Sequence, residues 1–576
     1  MLNYWGWKLK TAFQKQIIRF EDRFNLYPYW KWLVDQDVPV DRDSFPLQDA
    51  LVNILVFFQP GSERIEQTIE SLQNQVHQRW RLVPVIEDFQ NNSSARMPIR
   101  DQRIIGGGTS ENSLETFRRL AALDGEYFLC MAAGDTLSED FLSKAIDILD
   151  RNQRSGGVYF DEDVILKGET RSKPCFWPDW SPALLYSTPY LAHTVWRMDL
   201  FRSNPLPADL QPLNAFWYDL MFFCAEQSAI IGHIPQPGYH QSGFTRRTNA
   251  GDFCASLSRH IQRTAPGKNS TVELQEGNIH IRWQQTDKIV SIIIPTHDHL
   301  AYLERSLDSL FRITRNQNFE VILVDNASSD PSTLAYYGQL SQNRSVRLLQ
   351  GGPDFNFSRF NNLGASQAKG GLLLFLNDDV KIIDPNWLDE LAGWASLAGV
   401  GIVGGRLLYP DRTIQHAGVI IGMEGHASHV FNGKKAGYSG PFGSVDWYRN
   451  YMAVTGACMM VPRQVFQQSG GFSEKYHLVF SDIELGLRLN SMGYRVVYNP
   501  YARLVHYEGR SLARFMPADD LRTAFADLKY QVESGDPYYN PNLSYAVRIP
   551  SLRRRGEESP ISRLEHIMQI IQLHAD

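Results

Sequence analysis

The residues best equipped for chemistry lie in the C-terminal half of the chain, where apolar runs end on acids. Asn377-Asp378-Asp379 follows Leu372-Leu-Leu-Phe-Leu376 directly. A carboxylate pair at a strand end suits a hard divalent cation, because Mg2+ and Mn2+ prefer oxygen ligands and often bridge to phosphate oxygens. The same three residues also suit a plain turn, where Asn and Asp bond to their own backbone. Asp482 follows Ser481 and opens Asp-Ile-Glu-Leu-Gly-Leu-Arg-Leu, which predicts a helix capped by Ser481 with Asp482 in its first turn. A carboxylate there either offsets the helix dipole or serves as a general base. The helix field would lower its pKa and keep it ionised. His506 ends the short apolar run Arg503-Leu-Val505. Alone it reads as a core histidine; next to Asp379 it becomes a further metal contact.

These groups need a frame. Ile289–Ile294, Phe319–Val324 and Leu372–Leu376 are apolar runs of strand length, the second ending on Asp325. Helical periodicity separates them at Leu303–Phe311 and Phe360–Ala368, and Asn386–Leu397 follows with Pro385 at its start. Strands alternating with helices predict an α/β fold with a mostly parallel sheet. In such sheets ligands collect beyond the carboxyl ends of the strands, where Asp325 and Asp379 fall. An earlier stretch, from Ile54 to His240, repeats the apolar pattern: Leu51–Phe58, Arg81–Ile86 and Tyr127–Met131 read as strands, and Ile65–Leu72 and Leu114–Leu123 as helices. It lacks the acids. Ala132-Ala-Gly-Asp135 stands where the later stretch has its acid pair, and Trp217-Tyr-Asp-Leu220 where the later one has Asp482-Ile-Glu-Leu485.

At 576 residues the chain is too long for one core. Its net charge of −6 gives no support to a nucleic-acid partner. The five cysteines are scattered, which argues against a disulfide framework or a zinc site and fits a reducing cytosol. No apolar run reaches the ~18 residues of a membrane span, and the first residues have no apolar core of the kind a signal peptide carries. From Trp5 to Trp32 aromatic and aliphatic residues are interleaved with Lys8, Lys10, Lys15, Arg19 and Arg23. That pattern suits a helix lying on an anionic membrane and equally a helix packed on the domain behind it. After about residue 516 the chain is mixed, with a basic run at 553–555 and an amphipathic helix over Ile561–Leu573, and reads as a solvated or packing tail.

The later acids and their spacing resemble glycosyltransferase family two, with its GT-A fold. The resemblance runs from about 288 to 515. It rests on Ser291-Ile-Ile-Ile-Pro-Thr-His-Asp298, Val324-Asp-Asn-Ala-Ser328, Asp354-Phe-Asn-Phe-Ser358, Asn361-Asn-Leu-Gly364, Asn377-Asp-Asp379, Gln415-His-Ala-Gly418, Val454-Thr-Gly-Ala-Cys458, Gly470-Gly-Phe472, Ser481-Asp-Ile-Glu484 and His506. It implies a bacterial O-antigen or polysaccharide enzyme of rhamnosyltransferase type. It further implies that Pro295, Thr296, Asp298 and Asn362 line a nucleotide-sugar pocket, that Asp325 and Asn326 hold base and ribose, and that Asn377 and Asp378 lie near ribose and diphosphate. Asp379 and His506 would bind Mn2+ or Mg2+, Asp482 would be the catalytic base, and Glu484 would face the acceptor. Relatives often carry Asp where Asn326 and Asn377 stand. The implied reaction is inverting transfer from a UDP- or dTDP-sugar to a glycan or lipid-linked glycan, on the cytoplasmic side of the membrane, with residues 1–33 as the candidate membrane contact.

The expected organisation is therefore two tandem Rossmann-like GT-A domains with helical extensions: 1–48, a basic and aromatic helix; 49–268, a degenerate GT-A-like domain; 269–515, the catalytic domain; and 516–576, a C-terminal extension. In the first domain, Tyr159-Phe-Asp-Glu-Asp-Val-Ile165, Pro178–Leu185 and Ile231–His240 resemble the first module of two-module relatives, but the base position is Trp217 and the turn Phe58-Gln-Pro-Gly61 lacks the usual polar pair. Its Asp135, Asp161, Glu162 and Asp163 read as caps of turns and helices rather than as a second site. Two other readings share the acids: a sugar nucleotidyltransferase, which would want a basic phosphate loop that Thr296-His-Asp-His-Leu300 lacks, and a non-catalytic glycan scaffold.

Overall fold

The computed structural model describes residues 2–36, 45, 49–58, 64–86, 101–105, 113–166, 170–204, 213–242, 250–284, 287–507 and 517–573. The turn residues 59–61 and Glu508 fall outside these. The chain forms two large α/β units, one around an eight-stranded sheet and one around a ten-stranded sheet. Both are wired alike. In the second, Val290–Thr296 pairs in parallel with Phe319–Asp325 on one side and Leu372–Leu376 on the other. Cys458–Pro462 then enters antiparallel between Leu372–Leu376 and Val400–Leu408. Arg495–His506 continues the sheet in parallel, and Val380–Ile382 closes its edge antiparallel. The first sheet repeats this order with Val52–Phe58, Tyr127–Ala132, Val195–Arg197, Ser155–Ile165, Ile230–Ser242 and Thr136–Leu137. The GT-A expectation holds for both units. The sheets are mixed rather than mostly parallel, because in each a short antiparallel strand is inserted in the middle and another closes the edge.

The apolar runs became strands buried on both faces, as parallel sheets under helices require. Ile292, Ile293 and Ile294 are fully buried, as are Leu372 to Phe375. Helices Leu300–Ile313 and Phe357–Ser366 cover this sheet, and the side chain of Asn356 caps the latter by accepting from the N–H of Arg359. Gly364 lets that helix lie close: a Cβ there would stand 2.4 Å from Cγ2 of Ile293. The sharpest parallel between the units is in register. Val380 pairs with His506 in the second sheet and Thr136 with His240 in the first. Asp379 and Asp135, each one residue earlier, therefore occupy equivalent places beside equivalent histidines.

The units are packed against each other. Tyr186 meets Trp394 edge to face, with ring centroids 5.3 Å apart. The Asn450 carboxamide oxygen accepts from the N–H of Ala183 at 2.9 Å, and Ser187 Oγ accepts from the N–H of Tyr448 at 2.8 Å. Between them the alternating stretch predicted as β is a hairpin, Ser270–Gln275 with Asn278–Trp283, turning at Glu276 and Gly277, both at positive φ.

The tail packs across both units. Its helix Ala518–Ser534 covers the second, while Asn540 Nδ2 donates to both oxygens of the fully buried Asp161 of the first, at 2.9 and 3.0 Å. The N-terminal helix Leu2–Phe24 also rests on the tail, burying Ile18 against Ala546 and Val547. Replacing Asn540 with Ala would strip Asp161 of two hydrogen bonds inside the protein. We expect a loss of about 1–3 kcal/mol, read in calorimetry as a fall of a few degrees in the thermal midpoint.

Candidate active site

Strand pairing sets the first half of the site. The Val380–His506 register places Oδ1 of Asp379 3.0 Å from Nε2 of His506. The other ring nitrogen, Nδ1, lies 2.8 Å from Oε1 of Gln415, a buried residue of the strand Ile414–His416. With the Nδ1 proton donated to that amide oxygen, Nε2 presents its lone pair to the carboxylate. The Asn377 carboxamide is 3.5 Å from the same Nε2. Asp378 is half-buried beside Asp379, and its carboxyl is pushed up to about 6, by loss of water first and by the Asp379 charge second; Thr296 and His299 pull the other way.

The second half is joined to the first through one peptide link. The N–H of Asn377 donates to the carbonyl of Ala457 at 3.1 Å. The adjacent N–H, that of Gly456, donates to Oδ2 of Asp482 at 2.8 Å, and Oδ1 of Asp482 accepts from the N–H of Ile483 at 2.9 Å. Thr455, next in line, donates its N–H toward Nε2 of the buried His416 at 3.4 Å. Asp482 sits in the first turn of the helix Ser481–Ser491, as predicted. Ser481 is not its cap: the cap residue is Phe480, held at φ 69°, with no capping side chain. The expected depression of the Asp482 pKa is also overturned. Burial dominates and raises it, against the opposing N–H groups of Gly456 and Ile483.

The tail helix fixes the approach to this residue. Asp520, fully buried, accepts from the N–H groups of His477, Leu478 and Val479 at 2.9, 2.8 and 2.9 Å. Those residues lead into Phe480 and Asp482. Neither Asp520 nor Gln415 had been assigned a role from the sequence. The Gln415-His-Ala-Gly418 run carried a signal without a function, and nothing near Asp520 marked it.

Beyond the neighbouring strand ends, Thr296 lies in register with Asp325. Asp325 is buried and accepts from Tyr337 Oη at 3.0 Å and from the N–H of Ser328 at 3.2 Å. The N–H of Asn326 donates to the Thr296 carbonyl at 2.9 Å, and its carboxamide, with nitrogen turned toward the following loop, donates to the Gly352 carbonyl at 2.9 Å. Pro295 is opposite Val324 in the same pair of strands.

Three residues expected at the ligand also make hydrogen bonds within the frame. Asp298 accepts from the N–H groups of Ser329 and Asp330 at 2.9 Å each, so it ties together the loops after two strands; those N–H groups hold its carboxyl below the usual range. Asn362 accepts from the N–H of Phe472 and donates to its carbonyl, both at 2.9 Å, clamping the turn at Gly470–Gly471. Glu484 forms a two-pronged pair with Arg488 at 2.8 and 2.7 Å, and Arg488 in turn donates to the carbonyls of Ser469 and Gly471. All three side chains are hydrogen-bonded into the frame.

In the first unit the equivalent place is closed. Trp217 stacks on Phe57 at 4.9 Å and donates Nε1–H to the Ala192 carbonyl at 2.7 Å. Asp135 accepts from Tyr239 Oη at 2.6 Å and from the N–H of Ser242 at 2.7 Å. The His240 ring has turned to Asp163, at 2.8 Å, which also accepts from Tyr29 and Arg171. Glu162 binds His193 and Gln241, each at 2.7 Å.

Residues 291–470 match the family model described as glycosyl transferase family 2. The chain is 35% identical over 534 residues to the O-antigen biosynthesis protein RfbC of Myxococcus xanthus, an alignment covering 88% of this chain and 41% of that protein. It is 32% identical over 541 residues to the uncharacterized protein y4gI of Sinorhizobium fredii, covering 86% and 58%. An N-acetylglucosaminyl-diphospho-decaprenol L-rhamnosyltransferase of Mycobacterium tuberculosis is 27% identical over 255 residues, covering 39% of this chain and 78% of that one. The chain thus spans less than three-fifths of the length of the first two relatives.

If Asn362 is a clamp, its removal should cost stability and not ligand. Asn362→Ala should lower the thermal midpoint through the loss of about 1–2 kcal/mol, while the affinity for a nucleoside diphosphate, measured by calorimetry, stays within about twofold.

Proposed function

We propose, from the match of residues 291–470 to glycosyl transferase family 2, that the chain belongs to that family and that its second unit transfers a sugar, with inversion, from a nucleoside-diphosphate sugar to the hydroxyl of a growing polysaccharide. The observation that supports this best is the juxtaposition of Asp379 and His506, 3.0 Å apart, with a half-buried carboxylate, Asp482, held by the N–H of Gly456 next to the residue whose carbonyl accepts from Asn377.

The donor set fits a divalent cation. With Nδ1 of His506 committed to Gln415, a carboxylate oxygen and an imidazole lone pair face each other, and a cation between them would relieve the opposition. Among the described residues no group of three or more His, Cys, Asp or Glu side chains gathers as a metal cage. Two protein ligands accord with a Mg2+ or Mn2+ that completes its shell with water and substrate phosphate. Bound there, such an ion supplies charge stabilisation for the departing diphosphate. Asp325 and Asn326 take the base and ribose at the neighbouring strand ends. Asn377 and Asp378 lie between these and the diphosphate, with Pro295 and Thr296 as the wall. Asp482 removes the proton from the acceptor hydroxyl, whose oxygen bonds to the anomeric carbon on the face opposite the leaving diphosphate. One base and no enzymic nucleophile gives inversion, and the base contributes typically ~10²–10⁴-fold. Asp520 holds the approach to Asp482 in place through the backbone of 477–479.

The first unit is proposed to be catalytically silent, since its acids serve folding and its base position is Trp217. The names of the relatives support a surface polysaccharide or O-antigen as the product; a UDP- or dTDP-sugar as the donor class follows from the motif resemblance alone. No described helix is long and apolar enough to cross a membrane. We place the reaction at the inner face of the cytoplasmic membrane.

Asp482→Asn should abolish transfer and leave donor binding within about twofold, as seen by calorimetry with a nucleoside diphosphate and Mn2+; retained transfer would remove Asp482 from the mechanism. Because burial raises the Asp482 pKa and the base must be ionised, kcat should fall on acidification through a midpoint above the ordinary aspartate value of ~3.9. Asp520→Ala should lower kcat by about tenfold or more, since small misplacements are costly, with the Kd for the diphosphate unchanged. The pair Asp379→Ala and Asp482→Ala should leave no transfer; residual turnover would assign chemistry to the first unit.

A further inference from the structure

The N-terminal helix Leu2–Phe24 has two faces with different fates. The inner face is bolted down. Ile18 is 2% exposed against Ala546 and Val547, Lys15 pairs with Glu424 at 2.6 Å, and Arg554 of the tail binds both Glu21 and Asp22. Its outer face carries Phe13, Ile17, Phe20 and Phe24, spaced by four, three and four residues, a single apolar stripe. These are 65%, 40%, 57% and 55% exposed. The next turn and helix extend the surface with Leu26, Trp30 and Val34, at 51%, 60% and 69%. Seven of the sixteen large apolar side chains that stand exposed among the described residues therefore fall between positions 13 and 34. A scatter of single exposed residues is ordinary, but a contiguous patch of this kind marks an interaction surface.

The charges around the stripe identify the partner. Helical geometry sets Lys10 along one edge and Arg23 along the other, with Arg19 behind Arg23, all exposed. The nearby acids are answered within the protein: Glu21 and Asp22 by Arg554, and Asp35 by Tyr27 Oη at 2.7 Å. A second copy laid on this stripe would bring basic edge against basic edge. An anionic lipid surface accepts both the apolar row and its cationic borders. We propose that Phe13, Ile17, Phe20 and Phe24, continued by Trp30 and Val34, insert into the headgroup region of an anionic bilayer, and that the inner face of the helix holds the enzyme at a fixed orientation to it. The side chains of residues 2–9, Trp5, Trp7 and Lys8 among them, lie outside the described residues and carry none of this.

The test uses the full chain and vesicles. It should co-sediment with phosphatidylcholine vesicles containing roughly one-third phosphatidylglycerol, bind pure phosphatidylcholine weakly, and be released as salt rises. The quadruple variant F13S/I17S/F20S/F24S should lose binding to the anionic vesicles by about tenfold or more with its thermal midpoint unchanged, because the four side chains are exposed. Charge reversal at Lys10, Arg19 and Arg23 should do the same. Donor hydrolysis or transfer to a soluble acceptor should be unaffected in both, which separates this surface from the catalytic reading. Absence of binding by the unaltered chain, or equal binding by the quadruple variant, would overturn the proposal. So would a dimer in sedimentation velocity that the quadruple variant dissolves while the unaltered chain ignores vesicles.

Discussion

The pairing of Val380–Ile382 with Leu504–His506 is the constraint on which the candidate site rests. These two segments are more than a hundred residues apart in sequence, and three pairs of residues hold them. The pairing turns Asp379 and His506 to each other at the sheet edge, and a slip of one residue would send the histidine to the opposite face. The rest of the second unit protects that register. The long strand Arg495–His506 is anchored along its length by Val400–Leu408, and Gln415, on a strand bonded to the same neighbour, orients the ring.

Asp482 is held by a different logic. It belongs to a helix rather than a strand, and its position depends on the loop 477–480 that delivers it. Asp520 satisfies three consecutive backbone N–H groups of that loop from a helix of the tail. A buried carboxylate costs desolvation unless hydrogen-bonded, and this one is repaid by ordering the segment before the candidate base. Asp482 is half-buried and has fewer N–H partners, and desolvation raises its pKa. The two aspartates thus differ in role through how fully the backbone satisfies them.

Much of this was legible in the sequence. Apolar runs such as Ser291–Ile294 and Leu372–Leu376 can bury both faces only within a sheet, and the acids that terminate them had to fall at its carboxyl edge. The repetition of the frame was visible for the same reason. What could not be read was which polar side chains are consumed by the frame. Asp298, Asn362 and Glu484 have the chemistry of ligand contacts, yet each answers a backbone or guanidinium group brought near by folding. Their partners, Ser329, Phe472 and Arg488, are local only in three dimensions or along a helix face. The pKa of Asp482 was misjudged likewise: the helix terminus is a local feature, whereas its surroundings include the turn at Gly456, ahead of the strand Cys458–Pro462. Asp520 was invisible because its partners are more than forty residues away.

The acids of the first unit are bound into the fold. Asp161 binds the tail through Asn540, Asp163 grips Tyr29 ahead of the first sheet, and Asp135 braces the end of the strand that carries His240. Each of these acids is a rivet for a neighbouring part of the chain. An aspartate placed at position 217 would therefore find no free carboxylates beside it to share a cation, because Asp135 and Asp163 already answer Tyr239, Ser242, His240, Tyr29 and Arg171, and releasing them would loosen the segments they brace.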